Sequence, residues 1–283
     1  MSVSAASPPA LPVPSGRATV RPMLSSDFTA GSAHPAAILV RNFSKRYGSV
    51  TAVRGLNLDV PPGEILGLVG PNGAGKTTTL RALAGILRPT EGTLAIAGYD
   101  LSISPVEAKR RLAFIPDEPH LFDYLTVDEH LRFTARLYGV PDAEARIPAL
   151  LAEMDLTEKR NVLPSELSRG MKQKLSVATA LLHDPAVLIL DEPLTGLDPA
   201  GIRRMKDTIR RRAENGTAVI LSSHLLNLVE ELCTRVLLLR RGDVAALGTI
   251  ADLRALRPEL ATASLEDLFI ALTDDAPPAG HAA

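Results

Sequence analysis

The sequence predicts an α/β domain with a largely parallel core sheet, and three observations predict it. Short apolar runs alternate with amphipathic helical segments between Ala37 and Thr273, the order that builds βαβ units. One of these runs, Ile65 to Val69, leads into a glycine-rich loop and then a helix. Another, Ala186 to Leu190, ends in two acids, Asp191 and Glu192.

Each element has a local reason. Ala37 to Phe43 and Leu56 to Val60 read as strands, with a polar turn at Lys45 to Ser49. A helix is expected from Lys76 to about Leu87, stopped by Pro89. Thr93 to Ala97 reads as a strand. Ser104-Pro105 reads as an N-cap with proline at the first helical position. Thr126 with Glu129 spells a capping box for a helix that runs to Tyr138 and Gly139. Two more amphipathic helices follow, Asp142 to Met154 and Arg169 to Leu182. Val187 to Leu190 is a buried strand, Pro199 to Arg212 a helix, and Ala218 to Leu221 and Arg235 to Leu239 strands, with a turn at Arg241 to Asp243.

Composition limits the function. The chain has 283 residues, 46% of them hydrophobic, enough for a sizeable core. Lys plus Arg number 31 and Asp plus Glu 32, a net charge of −1. That balance does not favour nucleic acid as a partner. One cysteine, Cys233, excludes an internal disulfide framework. No run of 18 apolar residues exists, and no basic residue precedes an apolar run near Met1. Neither a membrane span nor a secretory signal is expected, which points to a cytoplasmic location. Residues 1–36 and 274–283 are rich in Pro, Ala, Ser and Gly and read as disordered tails around a domain at 37–273.

The loop Gly70-Pro71-Asn72-Gly73-Ala74-Gly75-Lys76-Thr77-Thr78 fits G-x-x-x-x-G-K-[ST]. Its glycines let successive backbone N–H groups turn toward phosphate oxygens. The helix behind adds the positive end of its dipole. Lys76 supplies charge for the β- and γ-phosphates, and the Thr77 hydroxyl is a Mg²⁺ ligand. The acids after Leu190 stand at the carboxyl edge of the sheet, beside that loop. Asp191 is suited to hold Mg²⁺ through water, and Glu192 to orient and deprotonate an attacking water.

Together these motifs resemble the nucleotide-binding subunit of ABC transporters, over about Ala37 to Thr273. Leu167-Ser168-Arg169-Gly170-Met171 resembles the LSGGQ signature, Gly196-Leu197-Asp198 the D-loop, and Ser222-Ser223-His224 the switch-histidine loop. Tyr47 resembles the aromatic that stacks on adenine. The resemblance implies a P-loop NTPase core with a mainly parallel sheet, an antiparallel β subdomain and an inserted helical subdomain at about 117–184. It implies an ATPase that uses ATP and Mg²⁺, with Glu192 and His224 catalytic. It implies that Ser168, Arg169 and Gly170 face ATP held by a second ATPase subunit, and that Asp198 ties the two halves together. The permease would be an integral membrane protein on a separate chain, and this chain would sit peripherally on the cytoplasmic face of the membrane.

Two places depart from the pattern. Asp117, in Phe114-Ile115-Pro116-Asp117-Glu118-Pro119, stands where the family usually has a glutamine. A carboxylate there can reach Mg²⁺ through water, but it adds negative charge near a triphosphate. Arg169 stands where the signature has its first glycine, and Met171 where it has glutamine. The Arg169 side chain either points outward or helps neutralise phosphate. The stretch Asp117 to Tyr138, with Leu121, Phe122, Tyr124 and Leu125, lies where the family docks its membrane partner, and plain core packing is the other reading of these side chains. Ser264 to Thr273 resembles the end of exporter-type cassettes, so export is the expected direction. A non-transport ATPase acting on a soluble macromolecule is the alternative. Against it, no sustained heptads lie between Lys76 and Asp191, and the chain holds one cassette.

Overall fold

A computed structural model describes residues 36–256, 258 and 263–274. The two expected tails lie outside the described residues, except Ala36 and Asp274. Two sheets carry the architecture. The first is antiparallel and holds β1 (Ile38–Tyr47), β2 (Val50–Val60), β4 (Glu91–Ile96) and β5 (Tyr99–Asp100) in the order β2-β1-β4-β5. The second holds β3 (Ile65–Val69), β6 (Leu112–Ile115), β7 (Val187–Asp191), β8 (Ala218–Ser222), β9 (Arg235–Arg240) and β10 (Asp243–Gly248). Its order is β10-β9-β3-β8-β7-β6, parallel except for β10 at one edge.

Every residue of β3, β7 and β8 is buried, as expected when both faces of a parallel sheet are covered. The faces serve two cores. Ile65, Val69, Leu188, Leu190, Val219 and Leu221 point to one, and Leu66, Leu68, Val187, Ile189, Ala218 and Ile220 to the other. The second core is shared with the antiparallel sheet and α1 (Lys76–Leu83). The first is shared with α3 (Val127–Tyr138), α4 (Ala143–Glu153), α5 (Arg169–Leu181) and α6 (Pro199–Glu214). Among these helices Asp128 is mostly buried and accepts from Arg132 at 2.5 Å and Arg160 at 2.7 Å.

Several local readings change. Lys45, Arg46 and Tyr47 are strand rather than turn, because they pair with Val53, Thr51 and Val50 across a ribbon that outruns its apolar part. α1 stops at Leu83, since Gly85 at φ 65° closes the helix end and Ile86 N–H donates to Arg81 O. α2 (Pro105–Lys109) starts on proline as read, but the Ser104 side chain does not cap it. The capping box of Thr126 and Glu129 forms in full. β6 was not expected, because four residues before Pro116 give too short a periodicity to read. As an edge strand it needs only β7.

α7 (Leu226–Leu232) packs behind β3, so closely that Gly67 leaves no room for a side chain. A methyl there would stand 2.6 Å from Val229 Cγ1 and 3.0 Å from Cys233 Sγ. Burial pushes the Cys233 thiol up to about 12, so the group serves packing rather than chemistry. Gly67→Ala should therefore destabilise the fold by about 1–3 kcal/mol, the usual effect of overpacking. Urea unfolding checks this, and an unchanged midpoint contradicts the close β3–α7 packing.

Candidate active site

The order β3-β8-β7 puts three strand ends side by side. Leu68 and Asp191 both align with Ser222, so the phosphate loop, the acidic pair and His224 emerge together. Around them lies a cavity of about 930 Å³, lined by Gly70, Asn72, Lys76, Thr77, Asp117, Asp191, Glu192 and His224 among others.

The phosphate loop needs its glycines. Gly70 has φ 155° and lies against the Leu239 carbonyl, which a methyl would approach to 2.3 Å. Gly75 has φ 107° and lies against the Ala52 carbonyl, at 2.5 Å by the same measure. No side chain but hydrogen fits either place. The loop is further held by the Gly242 N–H, which donates to Ala74 O at 3.1 Å. Lys76 Nζ folds back over it and donates to Gly70 O at 2.5 Å and Pro71 O at 3.2 Å. Partial burial pushes the Lys76 ammonium below its ordinary pKa, opposed by the nearby Glu192 and Asp191 carboxylates. α1 has no acidic residue in its first turn, so its positive end faces the cavity unopposed from within the helix.

Asp191 is buried, and Ser222 Oγ donates to its Oδ1 at 2.6 Å. Glu192 follows at φ 50°, a left-handed conformation that costs a non-glycine residue about 1–3 kcal/mol. Its N–H donates to Ser222 O at 3.1 Å, which helps to hold that turn. The turn aims the carboxylate at His224, whose Nδ1 stands 2.8 Å from Glu192 Oε2. Desolvation is the main influence on the Glu192 carboxyl and raises its pKa, against the lowering effect of His224. A carboxylate so placed can accept a proton from water near neutral pH.

Most of the other candidates lie elsewhere. Ser168 caps α5, its Oγ accepting from the Met171 N–H at 3.2 Å. Asp198 caps α6, its Oδ1 accepting from the Gly201 N–H at 2.9 Å. Neither they nor Arg169 and Gly170 line the cavity. Tyr47 is half exposed at the end of β1, with Lys45 Nζ 5.1 Å from its ring centre. Gly73, Ala74 and Thr78 shape the loop and the first turn of α1 without lining the cavity. Asp117 does line it, with Oδ1 3.6 Å from Arg169 Nη2.

Sequence reasoning missed several contributors, Ser222 and Phe269 among them. In sequence Ser222 marks only the start of the histidine loop, while its bond to Asp191 follows from the β7–β8 register. Phe269, from the C-terminal helix Leu265–Asp274, also lines the cavity, and nothing in its local sequence signals that. No group of three His, Cys, Asp or Glu side chains forms a metal cage among the described residues. Thr77 and Asp191 nevertheless offer hard oxygen donors. That set suits Mg²⁺, which keeps waters and takes most of its other ligands from substrate phosphates.

A protein-family model described as ABC transporter matches residues 53–195. EcsA of Bacillus subtilis, an ABC-type transporter ATP-binding protein, is 34% identical over 244 residues, covering 86% of this chain and 98% of that protein. Nod factor export ATP-binding protein I of Paraburkholderia xenovorans is 40% identical over 222 residues, covering 78% of this chain and 73% of that protein. A solved structure described as the ATP-binding subunit of an ABC transporter superposes with a TM-score of 0.80 at 36% identity, covering 83% of this chain and 99% of that one. The chain belongs to the ABC transporter family, as an ATP-binding subunit built on the P-loop ATPase cassette.

Proposed function

We propose that this chain powers a membrane exporter by binding and hydrolysing ATP between two cassette subunits. The observation that carries the reading is the Glu192–His224 contact of 2.8 Å, in the wall of the cavity that Lys76, Thr77 and Asp191 also line. Lys76 and the loop N–H groups bind the β- and γ-phosphates. Glu192 takes the proton as the water oxygen bonds to the γ-phosphorus and ADP leaves. His224 orients Glu192 and favours its ionised form. Thr77 and Asp191 are the residues that would hold Mg²⁺, which supplies charge neutralisation at the phosphate oxygens, while the Asp117 carboxylate is taken up by Arg169 instead.

Ser168, Gly170 and Asp198 stay off this cavity, which supports a role for them toward the ATP of a second subunit. Gly170 is buried at the start of α5, where the helix offers N–H groups and its positive end. Tyr47 would stack on the adenine.

The permease is a separate chain in this reading. No helix among the described residues is long and apolar enough to cross a membrane. An exposed apolar strip supports a docking site. Tyr124 is 91% exposed and Phe122 55%, with Phe133 packed edge-on against Phe122 at 5.3 Å. α3 carries Phe133 and also lines a second cavity of about 510 Å³ against β6, through Thr134 and Tyr138. A short helical segment of a membrane partner fits such a groove. Docking there would hold the chain on the cytoplasmic face. Export is favoured by the similarity to a Nod factor export protein. Detergent extraction tests the partner: a hydrophobic membrane protein should copurify, whereas ribosomes or DNA in its place would contradict the transport reading.

Glu192→Gln should bind ATP yet hydrolyse it about 10²–10⁴-fold more slowly, the typical loss for a general base. It should also accumulate as an ATP-dependent dimer on size exclusion. Turnover near the wild-type rate would remove Glu192 from the mechanism.

The raised carboxyl pKa has a pH signature. Glu192 must be ionised to accept a proton, so turnover should fall on acidification along a limb whose apparent pKa lies above the ordinary 4.5. His224→Ala should move that limb higher, because it removes the chief influence holding the carboxyl down. A limb at or below 4.5, or one unmoved in His224→Ala, contradicts the pairing.

A further inference from the structure

Asp117 and Arg169 each break the family pattern, and they stand against each other. Asp117 Oδ1 is 3.6 Å from Arg169 Nη2, although 51 positions separate them along the chain, with Asp117 just after β6 and Arg169 opening α5. Asp117 borders this subunit's own cavity, beside Lys76, Thr77 and Asp191. Arg169 sits between Ser168, which caps α5, and Gly170.

The arginine stem is held as well as its head. A methyl built on Gly196 would meet Arg169 Cδ at 3.1 Å and Cγ at 3.2 Å, so the stem lies directly on Gly196. Gly170 touches the same residue: a methyl there would be 2.7 Å from the Gly196 carbonyl oxygen. Gly196 belongs to the turn between Glu192 and Asp198, where Thr195 N–H donates to Glu192 O at 3.2 Å. Arg169 thus touches the segment after the catalytic acid with its stem and the loop bordering the cavity with its guanidinium.

The charges also balance. A lone carboxylate at 117 would repel an incoming triphosphate, and a lone guanidinium at 169 would leave a bare cation at the head of the signature helix. Paired, they are neutral together, as a glutamine and a glycine would be.

We propose that Arg169 is a positioning residue whose ion pair with Asp117 sets the signature helix against the loop bordering the subunit's own ATP. Occupancy of one subunit's site is thereby linked to the placement of Ser168 and Gly170 toward the second subunit's ATP. The proposal rests on the two-subunit reading above. Both side chains are more than half exposed, so the linkage is of modest size and sensitive to salt.

The test uses the full chain carrying Glu192→Gln, and reads the ATP concentration that gives half-maximal dimer by sedimentation velocity at low ionic strength. Arg169→Met keeps the stem on Gly196 and removes the charge. It should raise that concentration by about two- to fivefold, the size of an exposed ion pair. Adding Asp117→Asn to Arg169→Met should bring the value back toward the parent, because the unpaired carboxylate is gone. Arg169→Lys, which keeps the cation, should stay close to the parent. The proposal is overturned if Asp117→Asn leaves the Arg169→Met defect unchanged or deepens it, or if Arg169→Met has no effect. A parent that stays monomeric in saturating ATP overturns the two-subunit reading and this proposal together, whereas a dimerising parent with independent effects overturns this proposal alone.

Discussion

The site depends on the adjacency of β3, β8 and β7. The three strands are not consecutive in sequence, and their order in the sheet alone brings the phosphate loop to the acidic pair. The Ser222–Asp191 hydrogen bond of 2.6 Å pins the two strand ends at the cavity. It also gives a buried carboxylate a hydrogen-bond donor. Where the strands end, loops with special backbone needs begin, which is the general place for ligands in open α/β sheets.

From that frame, chemistry follows through electrostatics. The phosphate loop presents backbone N–H groups, the end of a helix dipole and one ammonium. The acidic pair stands across from them, close enough to influence Lys76. Glu192 occupies a strained left-handed backbone, and the strain aims its carboxylate at His224. Strain of this kind gathers where function requires one particular aim. Ser168 and Gly170 do not line this cavity. Ser168 as the cap of α5 and Gly170 against the turn after Glu192 make sense if the helix end faces another subunit's phosphate.

Much of this was legible in the sequence because the signals were local. The phosphate loop, the acidic strand end and the Thr126 capping box each spell out their geometry in a few residues. β6 was not legible, since four residues before a proline carry no usable period. The Lys45–Tyr47 strand was hidden because polar residues on an exposed ribbon look like a turn. Neither the Ser222–Asp191 bond nor the place of Phe269 could be read, because both depend on which strands and helices become neighbours. The same holds for Asp117 and Arg169. Each reads as an isolated departure in sequence, and only the packing of α5 beside the loop after β6 makes them a pair.

In the proposed dimer, one subunit's phosphate loop works with the other subunit's signature. The most direct measurement mixes two variants, each disabled in a different half of the shared site. Lys76→Ala removes the charge that binds the phosphates. Ser168→Arg places a bulky cation where the second subunit's phosphate must come. Each alone should be nearly inactive. A mixture forms dimers in which one shared site carries both defects and the other carries none. ATP turnover should then rise well above the sum of the two variants measured apart. A mixture no more active than that sum would contradict the shared site and place Ser168 in the service of its own subunit.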